Sequence, residues 1–160
     1  MVLSHDFMRE MHPGEEPKVE RLLQKAFRSN DEARLVKALR KSGAIAGEMV
    51  VNGPEGIAGY LALSEMAGPK GWLCLAPVAV HPDHQGQGIG RRMCGMITEW
   101  ARLAGRTVVV LGEVEFYERC GFSAARAARL SGPYPIDHTL LAGPGTDAPE
   151  ETLVYPAAFG

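Results

Sequence analysis

The residues from Val78 to Met93 read Val-Ala-Val-His-Pro-Asp-His-Gln-Gly-Gln-Gly-Ile-Gly-Arg-Arg-Met. Gly86, Gly88 and Gly90 stand where an apolar run ends and a helical pattern begins. Glycine lacks Cβ, so the backbone there turns tightly and brings its N–H groups close to a ligand. The first amides of a helix have no internal acceptor and lie at the positive end of its dipole, which together make a site for phosphate oxygens. Arg91 and Arg92 add charge at the edge of that site. The ligand is narrowed by what is missing. A P-loop requires Gly-x-x-x-x-Gly-Lys-Ser/Thr, and no lysine follows here. A dinucleotide fingerprint requires Gly-x-Gly-x-x-Gly, but the third glycine falls one position early, at Gly90. Residues 107–111 also offer no carboxylate to a ribose. The spacing that remains is Gln85-x-x-Gly88-x-Gly90.

The elements that must position this turn follow from hydrophobic period. Residues 3–11 read as a first strand. From Pro17, Val19, Leu22, Leu23, Ala26 and Phe27 form one helical stripe. Ser29-Asn30-Asp31 breaks it, and a second helix carries Leu35, Val36 and Leu39 on one face before Ser42-Gly43. Runs at 44–51, 57–66 and 72–80 are separated by Gly/Pro turns and predict an antiparallel meander. The third run has no polar residue, as expected of a central strand covered on both faces. Ile89, Met93, Ile97, Trp100 and Ala104 then recur at helical spacing, and 107–111 is a short β-branched strand, which together fit a βαβ crossover. A short helix over 113–120 stops at Gly121. Two weak strands are expected at 136–142 and 151–155. The fold class is therefore α/β (α+β), in one domain spanning residues 1–160.

Composition limits what such a domain binds. The chain has 160 residues, 46% of them hydrophobic and 22% charged, and a formal charge of −2. Those values suit one globular core, and the near-neutral charge argues against a nucleic-acid binder. Cys74, Cys94 and Cys120 are odd in number and widely spaced, so neither a disulfide framework nor a zinc cluster is expected. The N-terminus does not resemble a signal peptide, and no window approaches a membrane span, so a cytoplasmic protein is expected.

The Gln85-x-x-Gly88-x-Gly90 turn resembles the (Arg/Gln)-x-x-Gly-x-(Gly/Ala) signature of the GNAT superfamily of N-acetyltransferases. Phe116-Tyr117-Glu-Arg-Cys-Gly121-Phe122 is similar to the family's Tyr-x-x-x-Gly-Phe motif. Tyr155-Pro-Ala-Ala-Phe159 resembles the tail of its YhbS-type branch. The resemblance spans the whole chain. It implies a mixed twisted sheet of six to seven strands flanked by about four helices, with an acetyl-CoA cleft between two splayed central parallel strands. The strand ending at Val80 would splay from 107–111, helped by Pro77, which has no N–H to give a ladder. The backbone of Val78, Ala79 and Val80 would then lie along pantetheine. The amides of Gln85, Gly86, Gln87, Gly88, Ile89, Gly90 and Arg91 would take the pyrophosphate.

The implied reaction is direct transfer of acetyl from acetyl-CoA to a primary amine of a small molecule or a protein, with no metal. The Val78 N–H would stabilise the oxyanion. A leaving thiolate has a pKa of ~8.5 and a phenol one of ~10, so a tyrosine is still protonated at pH 7 and can donate to the sulfur. Tyr117 is the candidate acid. Glu65, at the end of a meander strand, is the candidate base, with Glu113 and Glu115 beside the splayed strand as rivals. Cys120 lies close to the expected thioester. His81 with His84 is weak evidence for a metal, and Ser131 with Asp137 and His138 lacks a nucleophile elbow. The alternative function is a non-catalytic acyl-CoA sensor, which would bind acetyl-CoA without transferring its acyl group. The resemblance is also compatible with a homodimer.

Overall fold

A computed structural model of the protein describes residues 7–160. It holds one sheet of six strands in the order β1-β2-β3-β4-β5-β6. The first strand is short, β1 (Arg9–Glu10), and the part of its expected span before residue 7 lies outside the described residues. Helices α1 (Glu16–Phe27) and α2 (Asp31–Ser42) follow, then the meander β2 (Ile45–Gly53), β3 (Gly56–Glu65) and β4 (Leu73–Val80). The crossover helix α3 (Ile89–Ala104) leads to β5 (Val108–Leu111), α4 (Val114–Cys120) and β6 (Thr139–Ala142). All pairs are antiparallel except β4 with β5. No helix among the described residues is long and apolar enough to cross a membrane.

Strand alternation sorts the core into layers. Met49, Val51, Leu61, Leu63, Leu73 and Leu75 face Met93, Cys94, Ile97 and Cys120 of α3 and α4. Their neighbours Val50, Tyr60, Ala62 and Ala79 face the other way, onto Val19, Leu22, Leu23 and Val36 of α1 and α2. Helices therefore cover both sheet faces. A third cluster closes the far end, where Cys74, Val109 and Leu141 meet Ala127, Leu130 and Leu153.

Polar links fix the first helices on the sheet. Tyr60, fully buried, donates its hydroxyl to Glu48 Oε1 at 2.6 Å, and Arg40 of α2 donates to the same oxygen at 2.7 Å. A hydrogen bond to a charged group is worth about 1.5–3 kcal/mol when its partners are held. The turn from α1 to α2 passes through Arg28 in the left-handed region, φ 53°. Gly43 closes α2 with its N–H on the Arg40 carbonyl.

Two expectations for the C-terminal part change. Residues 136–138 form a 3-10 turn, so β6 starts at Thr139. The run 151–155 makes only isolated bridges, Ser131 with Thr152 and Gly68 with Val154. Pro149 and Pro156 flank this run, and neither has an N–H to continue a ladder.

Near the start of α1, Arg9 grips Glu15 through two bonds of 2.8 Å and donates to Asn52 Oδ1 at 2.9 Å, joining β1, α1 and the β2–β3 turn. The Arg9 guanidinium is the main reason that the Glu15 carboxyl is held well below its ordinary 4.5, at about 2. A depressed carboxyl stabilises the fold above its unfolded pKa and loses that contribution as pH falls through the folded one. Stability should therefore decline between about pH 4.5 and pH 2 in the native chain. In Glu15→Gln, part of that slope should vanish in urea titrations repeated across this range. An unchanged slope would remove the pair from the acid response.

Candidate active site

The site begins with a bulge. Leu61 lies opposite Val78 and Leu63 opposite Leu75, so β4 spends one more residue than β3 around Ala76-Pro77. Pro77 has no N–H to spare for a ladder, which makes this the place where pairing is interrupted. On its other side β4 pairs with β5 only at Leu73–Val108 and Cys74–Val109. Beyond Cys74 the two parallel strands part, as the resemblance implied.

The hydrogen-bond phase shows what faces the gap. The His81 N–H donates to the Ala58 carbonyl at 2.8 Å, so Ala58–His81 is a bonded pair across β3 and β4. Bonded and non-bonded pairs alternate along an antiparallel ladder. Tyr60–Ala79 is therefore bonded, while Leu61–Val78 and Gly59–Val80 are not. The N–H and C=O groups of Val78 and Val80 consequently point away from β3, into the gap. The Val80 carbonyl receives one donor, the Gln85 side-chain amide at 3.1 Å. Gln85 thus fastens the glycine turn to the strand with its side chain.

The turn itself runs through a short 3-10 segment over Pro82–His84, where His81 Nδ1 accepts the Asp83 N–H at 3.1 Å. Gly86 (φ 78°) and Gly88 (φ 81°) hold the left-handed region, which a side chain would disfavour, and Gly88 caps α3. The α3 N-terminus is open around them, since a Cβ at Gly86 or Gly88 would meet nothing within 4 Å. Gly90 sits inside, with Val80 and Phe116 about where its Cβ contacts would be, at 3.5 and 3.6 Å. Arg91 is exposed beside the turn. Arg92 instead lies over the Phe7 ring, 4.0 Å from its centroid.

Tyr117 stands on α4 at the rim of the gap. Phe116 and Phe122 hold its ring edge-on, at centroid distances of 5.0 and 5.8 Å. A Cβ at Gly112 would lie 2.5 Å from Tyr117 Cε2, so glycine there makes room for the ring. Gly121, at φ 107°, lets Thr98 come close enough to donate its hydroxyl to the Cys120 carbonyl at 2.6 Å, tying α3 to α4. Burial pushes the Tyr117 phenol well above its ordinary value, and the neighbouring thiols add to this. The hydroxyl has no hydrogen-bond partner among the described residues, so it is a protonated donor free to turn into the gap.

A cleft of about 280 Å³ runs along this gap, lined by Leu75, Ala76, Pro77, Val78, Leu111 and Tyr117 on the sheet side and by Phe27, Glu32 and Leu35 from the first two helices. Glu65 lies outside it. β3 runs antiparallel to β4, so the end of β3 sits opposite Leu73, at the closed end of the fork, while the gap opens towards Val80. There Glu65, exposed, is 3.7 Å from the partly exposed Arg106, a surface ion pair of little energetic weight. Glu113, which precedes α4, and Glu115 in its first turn are exposed and do not line the cleft either. Cys120 is buried, and so is Cys94, whose thiol is raised by a hydrogen bond to Cys120 and by burial. Burial also pushes Cys74 up to about 12. Among the described residues no three His, Cys, Asp or Glu side chains converge as a metal site would require.

Glu32 is the carboxylate that sequence reading missed. It occupies the first turn of α2, where a negative charge gains about 0.3–1 kcal/mol from the helix dipole. That role leaves no mark distinguishing it from Asp31 beside it. In the fold, however, Glu32 Oε1 is shielded from solvent and accepts no hydrogen bond among the described residues. The side chain as a whole is only partly buried and forms part of the cleft lining.

Residues 45–124, from β2 to just past Phe122, match the family model of the acetyltransferase (GNAT) domain. The uncharacterized N-acetyltransferase YhbS of Escherichia coli K12 is 34% identical over 131 residues, covering 77% of each chain. The crystal structure of E. coli YhbS in complex with CoA superimposes with a TM-score of 0.80 at 26% identity, over 99% of this chain and 93% of its own. A GNAT family acetyltransferase from Brucella melitensis in complex with acetyl-CoA gives 0.78 at 29% identity, over 96% and 97%. A forked sheet, a glycine turn that caps α3 and relatives of this kind place the chain in the GNAT acetyltransferase family.

Proposed function

We propose that the chain transfers the acetyl group of acetyl-CoA to a primary amine by direct attack, within the forked cleft. The observation that carries this reading is the phase of β4. It turns the amides of Val78 and Val80 into a gap that leads, at one end, to the open α3 N-terminus and, at the other, to Tyr117. A pantetheine arm is a chain of amides and fits a strand edge lacking its partner, with Ala79 between the two valines facing the α1 and α2 core. The amides of Gln85, Gly86 and Gln87, continuing through Gly88, Ile89, Gly90 and Arg91, suit a pyrophosphate. Acetyl-CoA supplies an activated thioester carbonyl and a thiolate leaving group.

The chain supplies the rest. The Val78 N–H, fixed by the bulge, is the donor for the carbonyl oxygen as it gains charge. Tyr117, whose phenol stays protonated at neutral pH, gives its proton to the departing sulfur, and the proton that the attacking amine nitrogen sheds on becoming an amide restores the phenol. A purely binding protein has no use for such a donor, which favours an enzyme over a sensor.

Acetyl-CoA should raise the melting temperature of the protein, whereas NAD should not. Tyr117→Phe should keep that shift while lowering kcat by about 10²–10³-fold, in the range of a lost acid catalyst. Loss of cofactor binding with kcat intact would remove the acid role. Gly112→Ala should act through the same ring, lowering kcat at least tenfold with little change in acetyl-CoA affinity. A variant as active as the native chain would show that the Tyr117 position is not demanded by the chemistry.

A further inference from the structure

The cleft has two walls of different origin. Tyr117 belongs to the face covered by α3 and α4, whereas Phe27, Glu32 and Leu35 come from the helices on the opposite face. The fork between β4 and β5 thus joins a cofactor side to a second side made by α1 and α2. That second wall is apolar except at one point. Phe27 is 37% exposed and Leu111 40% exposed, and both border the cleft. Glu32 supplies the one charge there. Among the described residues its Oε1 accepts no hydrogen bond from the protein, and the side chain as a whole is partly exposed.

We infer that Glu32 is the anchor for the acceptor's ammonium group, and that the acceptor is a primary alkyl- or arylalkylamine with an apolar body and no carboxylate beside the amine. This rests on the acetyl-transfer reading above. Glu32 is the one charged residue in the lining of the cleft, and a carboxylate set among apolar walls suits a cation that brings its own N–H groups. The amine held there, which sheds one proton to solvent before its lone pair attacks, has Phe27 and Leu35 beside its carbon chain and Leu111 across the cleft. An amine carrying a neighbouring carboxylate, such as an α-amino acid, would set like charges against Glu32 in the same small space. Glu32 therefore determines specificity, and Phe27 determines how large the apolar body is.

The test is a steady-state panel of phenethylamine, butylamine, ethylamine and phenylalanine with acetyl-CoA, read as thiol release, with acetyl-CoA binding measured separately by thermal shift. Phenethylamine should be preferred, with kcat/KM at least tenfold above phenylalanine. Glu32→Gln, nearly isosteric, should raise the KM for phenethylamine at least tenfold, leave the acetyl-CoA shift unchanged and narrow the gap to phenylalanine. Phe27→Ala should reduce the preference for phenethylamine over ethylamine. Preference for phenylalanine, an unchanged amine KM in Glu32→Gln, or no turnover of any panel amine by a protein that binds acetyl-CoA would each overturn the inference. Failure to bind acetyl-CoA at all would instead overturn the reading beneath it.

Discussion

A strand edge left without its neighbour is the constraint on which the rest of the structure depends. A buried backbone N–H or C=O that finds no partner costs about as much as a lost hydrogen bond, so sheets seldom leave one open inside a domain. Here β4 loses its partner on one side after Cys74, and its ladder with β3 is interrupted at Ala76-Pro77. The fold nevertheless keeps the valines beyond that point in the middle of the molecule, between helices on both faces. The Val78 N–H and C=O and the Val80 N–H are thereby turned into the gap, where a chain of amides could pair with them, while the Val80 carbonyl already accepts from Gln85. The glycine turn is held to the end of this strand by the Gln85 side chain, which donates to the Val80 carbonyl.

An open fork at the centre of a sheet must be held by what surrounds it. On one face α3 and α4 are locked together by Thr98, Cys120 and Gly121, which sets the α4 helix that carries Tyr117. On the other face, Arg40, Glu48 and Tyr60 bind α2 to β2 and β3 in a buried cluster around one carboxylate. Removing any one of these three would leave charge or hydroxyl unpaired in the interior, so α2 has little freedom to move. That rigidity matters because α2 also carries Glu32 and Leu35. The two walls are thus positioned independently, and the fork is where they meet.

Much of this was readable from residue order. Period and turn chemistry define every helix and the meander, because α1, α2 and α3 each carry a clean apolar stripe and the turns carry Gly and Pro at their corners. Pro77 announces the bulge for a local reason, its missing N–H. The glycine turn is equally local. What sequence could not place depends on distant neighbours. Glu65 ends an apolar strand and so looks close to the cleft, but only the antiparallel register reveals that it lies at the closed end of the fork. Glu32 has the opposite history. It reads as an ordinary first-turn acid, and its place in the cleft lining is created by the way that α1 and α2 lie beside β4. The run 151–155 has strand-forming residues but, between its prolines, keeps only single bridges.

Amide hydrogen exchange with and without acetyl-CoA tests the central claim most directly. If the outward edge of β4 and the glycine turn form the cofactor site, the ligand should slow exchange at Val78, at Val80 and across residues 85–91. The bridged segment 151–155 should be unaffected. Protection confined to other segments, with Val78 and Val80 exchanging at their unliganded rates, would contradict the account.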